Sequence, residues 1–456
     1  MQSRSEGHIV RQRVAVLGGG ITGLTTAWRL GQQGFEVELF ESSSQLGGLG
    51  QSFEAPFGRI DRFYHCILPS DRHLLALIEE LGLKDDIQWK SSGMGFIHRG
   101  QRYPLNTPWD LLRFGALPIR DRLRMGWGTL GLKKHDPGKL DDIPAEEWLR
   151  SVFGDRCFEV VWKALLQAKF GDAYHEIPAL WIWSRLHREK DGIRPEVKGM
   201  LPGGLKTLVD RLEESLRDAG VHLRKRARVE SIRTDAGGAH LVADGEMRNF
   251  DSVVLAMATR PAIELLEEGS RAARQLAAHE VPYQGVVNVV FATREPMDHF
   301  YWLPVVDSGV GFQGIVETTQ VADPAEFDGH HLVYVMNYLR ADHAMFREDE
   351  DALADRYLAQ LQKLYPSYGR SGIACQQVFR APFVEPIYSL GYSNRRPPEV
   401  LEPDRIYLCN TSQIYPDITS WNSCIGRAGD LAERLGRERR DISSLEPATL
   451  SPRKCS

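Results

Sequence analysis

Near the N-terminus, RVAVLGGG (13–20) is a short apolar, β-branched run that ends in glycine. TGLTTAWRL (22–30) continues with helix formers, and GFEVELFE (34–41) is a second apolar run closing on an acid. This pattern predicts strand, tight turn, helix and strand, a βαβ unit. Further on, LLALIEELGL (74–83) has the spacing of an amphipathic helix. LPGGLKTLVDRLEESLRDAGVHLRKRARVESI (201–232) predicts a glycine turn, an amphipathic helix and two strands. DSVVLAMATRPAIELL (251–266) predicts a buried strand, a turn and a helix, and residues 405–435 predict a strand, a polar loop and a helix from about Asn422. Between these segments GFIHRGQRYPL (95–105) has the form of a hairpin about Arg99-Gly100, and residues 107–195 are mainly helical in pattern. The apolar runs VVNVVFATRE and HLVYVMNYLR, within 281–394, predict a sheet.

In the first unit Gly18, Gly20 and Gly23 fill a GxGxxG pattern. The first allows a tight turn, the second lets backbone approach a pyrophosphate, and the third lets helix and strand pack closely. The helix N-terminus adds free amides and a positive dipole. Glu41 ends the second strand, where a carboxylate accepts the hydroxyls of an adenosine ribose. A lone GxGxxG is common in turns, but the flanking strand, helix, second strand and acid occur together here. The pair Gly47-Gly48 follows closely in ESSSQLGGLGQSF, and it lets backbone run against a large flat ligand.

With GxGxxG, then an acid, then GG in this order, the sequence resembles the FAD-dependent amine oxidase and protoporphyrinogen oxidase superfamily. The resemblance implies an α/β fold: an FAD-binding Rossmann-like domain of the glutathione-reductase type with an interleaved α+β substrate domain. It implies FAD held by Gly18, Gly20, Gly23, Glu41, Gly47 and Gly48, with the backbone of Val229 facing the adenine. Residues 1–90, 200–270 and 395–440 then make up the FAD-binding domain, 91–199 and 271–394 the substrate domain, and 441–456 a poorly ordered tail that sets in after about Glu438. Two positions depart from the family pattern. Ser42 stands where an arginine commonly follows the acid, and Asn410-Thr411 replaces a Gly-Asp pair, so that Asn410 offers hydrogen bonds to FAD without charge.

Composition narrows the classes. The 456 residues are enough for two ordinary domains, and a net charge of -5 argues against a nucleic-acid binder. The six cysteines are dispersed without ligand spacing, as in a reduced, cytoplasmic protein without a metal site. The polar start MQSRSEGHIVRQR lacks the apolar core of a secretory signal. No apolar run approaches the roughly 18 to 20 residues of a spanning helix, which leaves peripheral membrane contact. The segment 109–135 suits such contact, since it mixes Leu, Phe, Met and Trp with Arg113, Arg120, Arg122, Arg124, Lys133 and Lys134. The blander reading is a helical part of the substrate domain with a solvated basic face. Nothing in the sequence fixes the oligomeric state.

Flavin chemistry needs few protein groups, because the cofactor itself accepts the hydride. Two weak catalytic candidates remain. His65 follows Asp61 and Tyr64 just before the helix at 74, in a segment that resembles UDP-galactopyranose mutases, whose histidine lies close to the flavin. The plainer reading is a hydrogen-bonded structural histidine. Lys169 stands in a turn-rich stretch with Asp172, Tyr174 and His175, where a solvated surface lysine is the plainer reading. Tyr301, Trp302, Tyr334, Tyr338, Tyr388, Tyr415 and Trp421 are candidates for the wall of a substrate cavity.

Three functions fit. The first is an FAD-dependent oxidoreductase passing a hydride from a small-molecule or lipid-like substrate to flavin N5. The second is a non-redox flavoenzyme of the UDP-galactopyranose mutase type, which needs arginines to clamp a diphosphate. The third is an FAD-binding protein without catalysis.

Overall fold

The computed structural model describes residues 12–132, 135–188, 196–306 and 309–445. Strand β1 (Arg13–Leu17), helix α1 (Ile21–Gln32) and strand β2 (Glu36–Glu41) form the predicted unit. They sit in a six-stranded sheet ordered Val400–Glu402, Ile406–Leu408, Ser252–Leu255, β1, β2, His222–Lys225. Every pairing except the first is parallel. On one face Leu24, Ala27 and Leu30 of α1 meet Leu208 and Leu212 of Leu205–Asp218 and Ala428 and Leu431 of Trp421–Leu445, all fully buried. Ala15, Leu17, Val253 and Leu255 pack on the other face under an antiparallel sheet of Val229–Asp235, Gly238–Ala243 and Glu246–Phe250. Cover on both faces is why β1, Ser252–Leu255 and Ile406–Leu408 read as continuous apolar runs rather than alternating ones.

A seven-stranded sheet runs Ile373–Pro386, Tyr283–Thr293, His331–Arg340, Gly314–Glu317, Phe300–Val306, Gly93–His98, Gln101–Pro104. The strand Tyr283–Thr293 is buried along its whole length. Val287, Val289 and Phe291 face Leu353, Tyr357 and Leu361 of the helix Glu350–Leu364, while Val286, Val290 and Ala292 face Ile60 and Phe327. The hairpin at 93–104 turns on Arg99 (φ 50°) and Gly100 (φ 76°), the two positive dihedrals that suit a tight hairpin turn. Helices between 108 and 188 gather around Phe114, Trp148, Phe153, Phe158 and Trp181.

The final described helix runs to Leu445. Its Leu431, Ala432 and Leu435 are buried, and Glu438 takes bonds from Arg434 (2.8 Å) and the Tyr407 hydroxyl (3.0 Å). Residues 446–456, with Cys455, lie outside the described residues, as does nearly all of the polar start. No helix among the described residues is long and apolar enough to cross a membrane.

Candidate functional site

Gly18, Gly19 and Gly23 each have a steric reason. Gly18 has φ +112°, and a Cβ there would lie 2.6 Å from the Ala256 carbonyl oxygen. A Cβ on Gly23 would lie 1.9 Å from the Gly18 carbonyl oxygen, which sets how closely α1 approaches the sheet. Gly19 donates its amide to Glu41 Oε2 at 2.7 Å, and a Cβ there would meet the same oxygen at 2.9 Å. Gly20 is different, because nothing lies within 4 Å of where its Cβ would be. It caps α1 without a side-chain bond, and the first turn carries no acid. The opening amides of α1 therefore face open space with positive dipole and no internal anion.

The second glycine loop closes on the first. Gly47 (φ +113°) donates its amide to the Gly19 carbonyl at 2.7 Å, and a Cβ on Gly48 (φ +58°) would sit 3.2 Å from Gly20 Cα. Gly50 receives the indole of Trp421, whose Cζ2 would be 2.3 Å from an added Cβ. Glu41 is fixed by two amides, Gly19 on Oε2 and Ser43 on Oε1, both at 2.7 Å. Ser42 turns its hydroxyl to the same Oε1 at 3.4 Å.

These loops form one end of a cleft of about 540 Å³. Gly18, Gly20, Glu41, Gly47 and Gly48 all line it, together with Gly19, Ile21 and Thr22. Asn410 also lines it, but its side chain is occupied by the loop it organises: Oδ1 accepts from the Ser412 amide (3.0 Å) and hydroxyl (2.6 Å), and Nδ2 donates to the Met257 carbonyl (2.8 Å). Val229 is buried with Phe40 and Ala227 and does not line the cleft. Its segment is tied to the acid by the Ala227 amide, which donates to the Glu41 carbonyl at 3.0 Å. The last helix opens at Trp421 beside the cleft, and Asn422 Oδ1 accepts the His73 (2.8 Å) and Leu74 (3.2 Å) amides that begin the helix Arg72–Glu80.

At the other end are Tyr64, His65, Lys169, Tyr338, Phe383 and Glu385. Lys169 is not the solvated surface residue that its surroundings in sequence suggest. Its Nζ is 2.5 Å from Glu385 Oε2, and the two side chains are 22% and 5% exposed. It also lies 5.0 Å from the ring centre of Tyr338 and 5.6 Å from that of Trp181. Burial pulls its ammonium below the ordinary lysine range. The hydroxyls of Tyr64 and Tyr338 share a 2.7 Å hydrogen bond. His65 is half-buried, with Nδ1 2.9 Å from the Phe63 carbonyl, and burial lowers its pKa to about 4. The ring is therefore neutral at ordinary pH, Nδ1 donates to that carbonyl, and Nε2 keeps a lone pair.

Two other candidates stand apart. His175 is exposed and bonded to Glu146 at 2.8 Å, away from the cleft. Asp61 lies under the start of the helix Leu205–Asp218, where its Oδ2 accepts the Leu205 amide at 3.1 Å and Oδ1 has no partner. Burial raises its pKa to about 7 from 3.8, against the Leu205 amide and the Arg59 charge. The folded protein thus holds a proton that the unfolded chain releases. Asp61 contributes stability that is full below about pH 4 and lost as the pH rises through about 7, amounting to about 4 kcal/mol. Asp61→Asn keeps the acceptor and removes the titration. Its stability from urea melts should fall less than that of the wild type between pH 4 and pH 8, and identical slopes would refute the assignment.

Of the seven aromatics named from sequence, Tyr338 and Trp421 line the cleft. Tyr301 and Tyr334 lie beneath it and donate to the backbone carbonyls of His65 (3.3 Å) and Asp61 (2.8 Å). Trp302 is half-buried in its strand, and Tyr388 and Tyr415 are core. The cleft also holds Gly19, Thr22, Tyr283, Asn288, Phe383 and Glu385, which the sequence reading missed. Only Gly19 carried a signal, as the middle of three consecutive glycines.

Uncapped helix amides, an open position at Gly20, an acid fixed at the end of β2 and a second glycine loop suit a dinucleotide with a long flat head group, as FAD is. With the parallel sheet they define a flavoprotein of the Rossmann-like class. The chain belongs to the flavin containing amine oxidoreductase family, which it matches over residues 21–418. It is 23% identical over 279 residues to the coproporphyrinogen III oxidase of Staphylococcus aureus (strain NCTC 8325 / PS 47), covering 53% of this chain and 59% of that protein. The flavin-dependent L-tryptophan oxidase RebO of Lentzea aerocolonigenes is 24% identical over 426 residues, covering 83% of this chain and 85% of that protein. The crystal structure of reduced UDP-galactopyranose mutase superposes with a TM-score of 0.73 at 14% identity, covering 93% of this chain and 95% of that one, a likeness of fold. The chain thus spans little more than half the length of the first of these relatives.

Proposed function

We propose that the chain oxidises an organic, small-molecule or lipid-like substrate by hydride transfer to FAD, and that the substrate lies at the Tyr64, Lys169, Tyr338 and Glu385 end of the cleft. The observation that carries this reading is the continuity of that end with the glycine loops in one cleft. In this reading residues 1–90, 200–270 and 395–440 bind the cofactor and 91–199 and 271–394 the substrate. Bound along the loops, FAD supplies a two-electron acceptor. The amides at the start of α1 hold the pyrophosphate, Glu41 takes the ribose hydroxyls, and Gly47 and Gly48 keep the backbone clear of the ligand. Phe63, Val286 and Phe383 exclude water from an apolar substrate body, and the Lys169–Glu385 pair orients its polar group. Neutral His65 accepts a hydrogen bond at Nε2.

An anaerobic titration following the oxidised flavin band against amines, porphyrinogens, prenols and UDP-sugars tests the proposal. One compound is expected to bleach the band. Isomerisation of a UDP-sugar by reduced enzyme only, with no compound bleaching, would replace the oxidase reading with the mutase one. Retained flavin that responds to nothing would point to a protein without catalysis.

A further inference from the structure

The helices Pro108–Arg113 and Ile119–Gly131 have no fully buried residue. Five of their large apolar side chains face outward: Trp109 is 69% exposed, Ile119 57%, Leu123 50%, Trp127 73% and Leu130 75%. These are five of the nine large apolar side chains exposed to a comparable degree among the described residues, so they form a patch and not a scatter. Ile119, Leu123, Trp127 and Leu130 fall within about 80° of arc at 100° per residue, a single stripe along one helix. The opposite side anchors that helix to the protein. Arg122 donates to the Leu117 and Leu112 carbonyls, both at 2.5 Å, Arg124 reaches the Ser151 carbonyl at 3.1 Å, and Gly128 sits against Phe153.

We infer that this hairpin docks the protein on an anionic lipid bilayer, with the Ile119–Leu130 stripe and Trp109 in the interface and the exposed Arg113 and Arg120 at the headgroups. An in-plane helix of this kind needs an apolar face, tryptophan at the boundary and flanking cations, and all three are present. The Asp110 carboxylate is engaged at the start of its helix, where it caps the Asn106 and Thr107 amides at 3.0 and 2.9 Å. Charge also selects the occupant. Arg113 and Arg120 are exposed beside the apolar stripe, and the headgroups of an anionic bilayer neutralise them. Lys133 and Lys134, the last of the basic run, lie outside the described residues. No residue of the two helices lines the cleft, so docking stands independently of the catalytic reading.

Flotation of the full-length protein on phosphatidylcholine vesicles, with and without roughly 30 mol % phosphatidylglycerol, tests the inference. The wild type is expected to float with the anionic vesicles and to lose binding as salt rises. The double variant Leu123→Ser/Trp127→Ser should keep the wild-type melting temperature and flavin content and bind at least about tenfold more weakly. Failure of the wild type to float, or equal flotation of the folded variant, would overturn it. So would a wild-type dimer that the variant converts to monomer, which would give the patch to a second copy.

Discussion

Gly23→Ala should yield a colourless, destabilised protein, while Gly20→Ala should yield a colourless protein that is otherwise sound. The same single carbon is added in both, three residues apart. At position 23 it would stand 1.9 Å from the Gly18 carbonyl oxygen, which is backbone and has no rotamer to give. Helix α1 must lift from the sheet, at a cost of about 3 kcal/mol or more. At position 20 the carbon enters open space, and the backbone there (φ -75°, ψ 173°) suits any residue. The apo melting temperature should therefore move by only about 2 °C. The carbon occupies the place where a pyrophosphate would meet the α1 amides, so FAD affinity should fall at least about tenfold. Flavin-to-protein absorbance ratios and thermal melts of both variants check this. A Gly20→Ala protein with full flavin content would move the pyrophosphate elsewhere.

The second large effect concerns the ion pair at the far end of the cleft. Lys169→Met should cost about 3–5 kcal/mol, because it leaves the Glu385 carboxylate buried and uncompensated. Lys169→Met/Glu385→Leu should recover most of that loss, since a buried pair replaced as a unit by apolar groups is often neutral. Glu385 Oε1 already lacks a partner, so the pair is a poor stability device. The double variant should nonetheless lose at least about tenfold in kcat/KM on the substrate found by titration. Denaturant melts with steady-state rates separate the two effects. A stable double variant with full activity would remove Lys169 and Glu385 from substrate binding.

The glycine-loop end of the cleft was legible in the sequence, because its geometry is local. A strand, three glycines, a helix and an acid lie within residues 13–41, and each glycine's purpose follows from backbone geometry. The end with Lys169 and Glu385 was not legible. Lys169 reads as a surface residue until the sheet brings Glu385 beside it, and no short-range pattern joins those positions. Asp61, Tyr64 and His65 look like one polar cluster in sequence. The backbone sends Asp61 beneath the helix at 205 and the other two to the cleft. The resemblance implies Asn410 as a contact to FAD; the residue lines the cleft, and its bonds to Ser412 and Met257, which organise the loop, come from no pattern in the sequence. The exposed stripe at 119–130 was visible only as a mixture of basic and apolar residues, because composition does not say which side of a helix is covered.

The Gly50–Trp421 contact has a consequence for biosynthesis. The first wall of the cleft is made from residues near the start of the chain, and the wall facing it comes from Asn410, Thr411, Trp421 and Cys424. The ribosome makes the second wall long after the first, so the emerging chain carries one half of the cleft exposed until the later segment has been made. Binding along both walls then waits for the later segment, and a chain cut short before Asn410 lacks the second wall altogether.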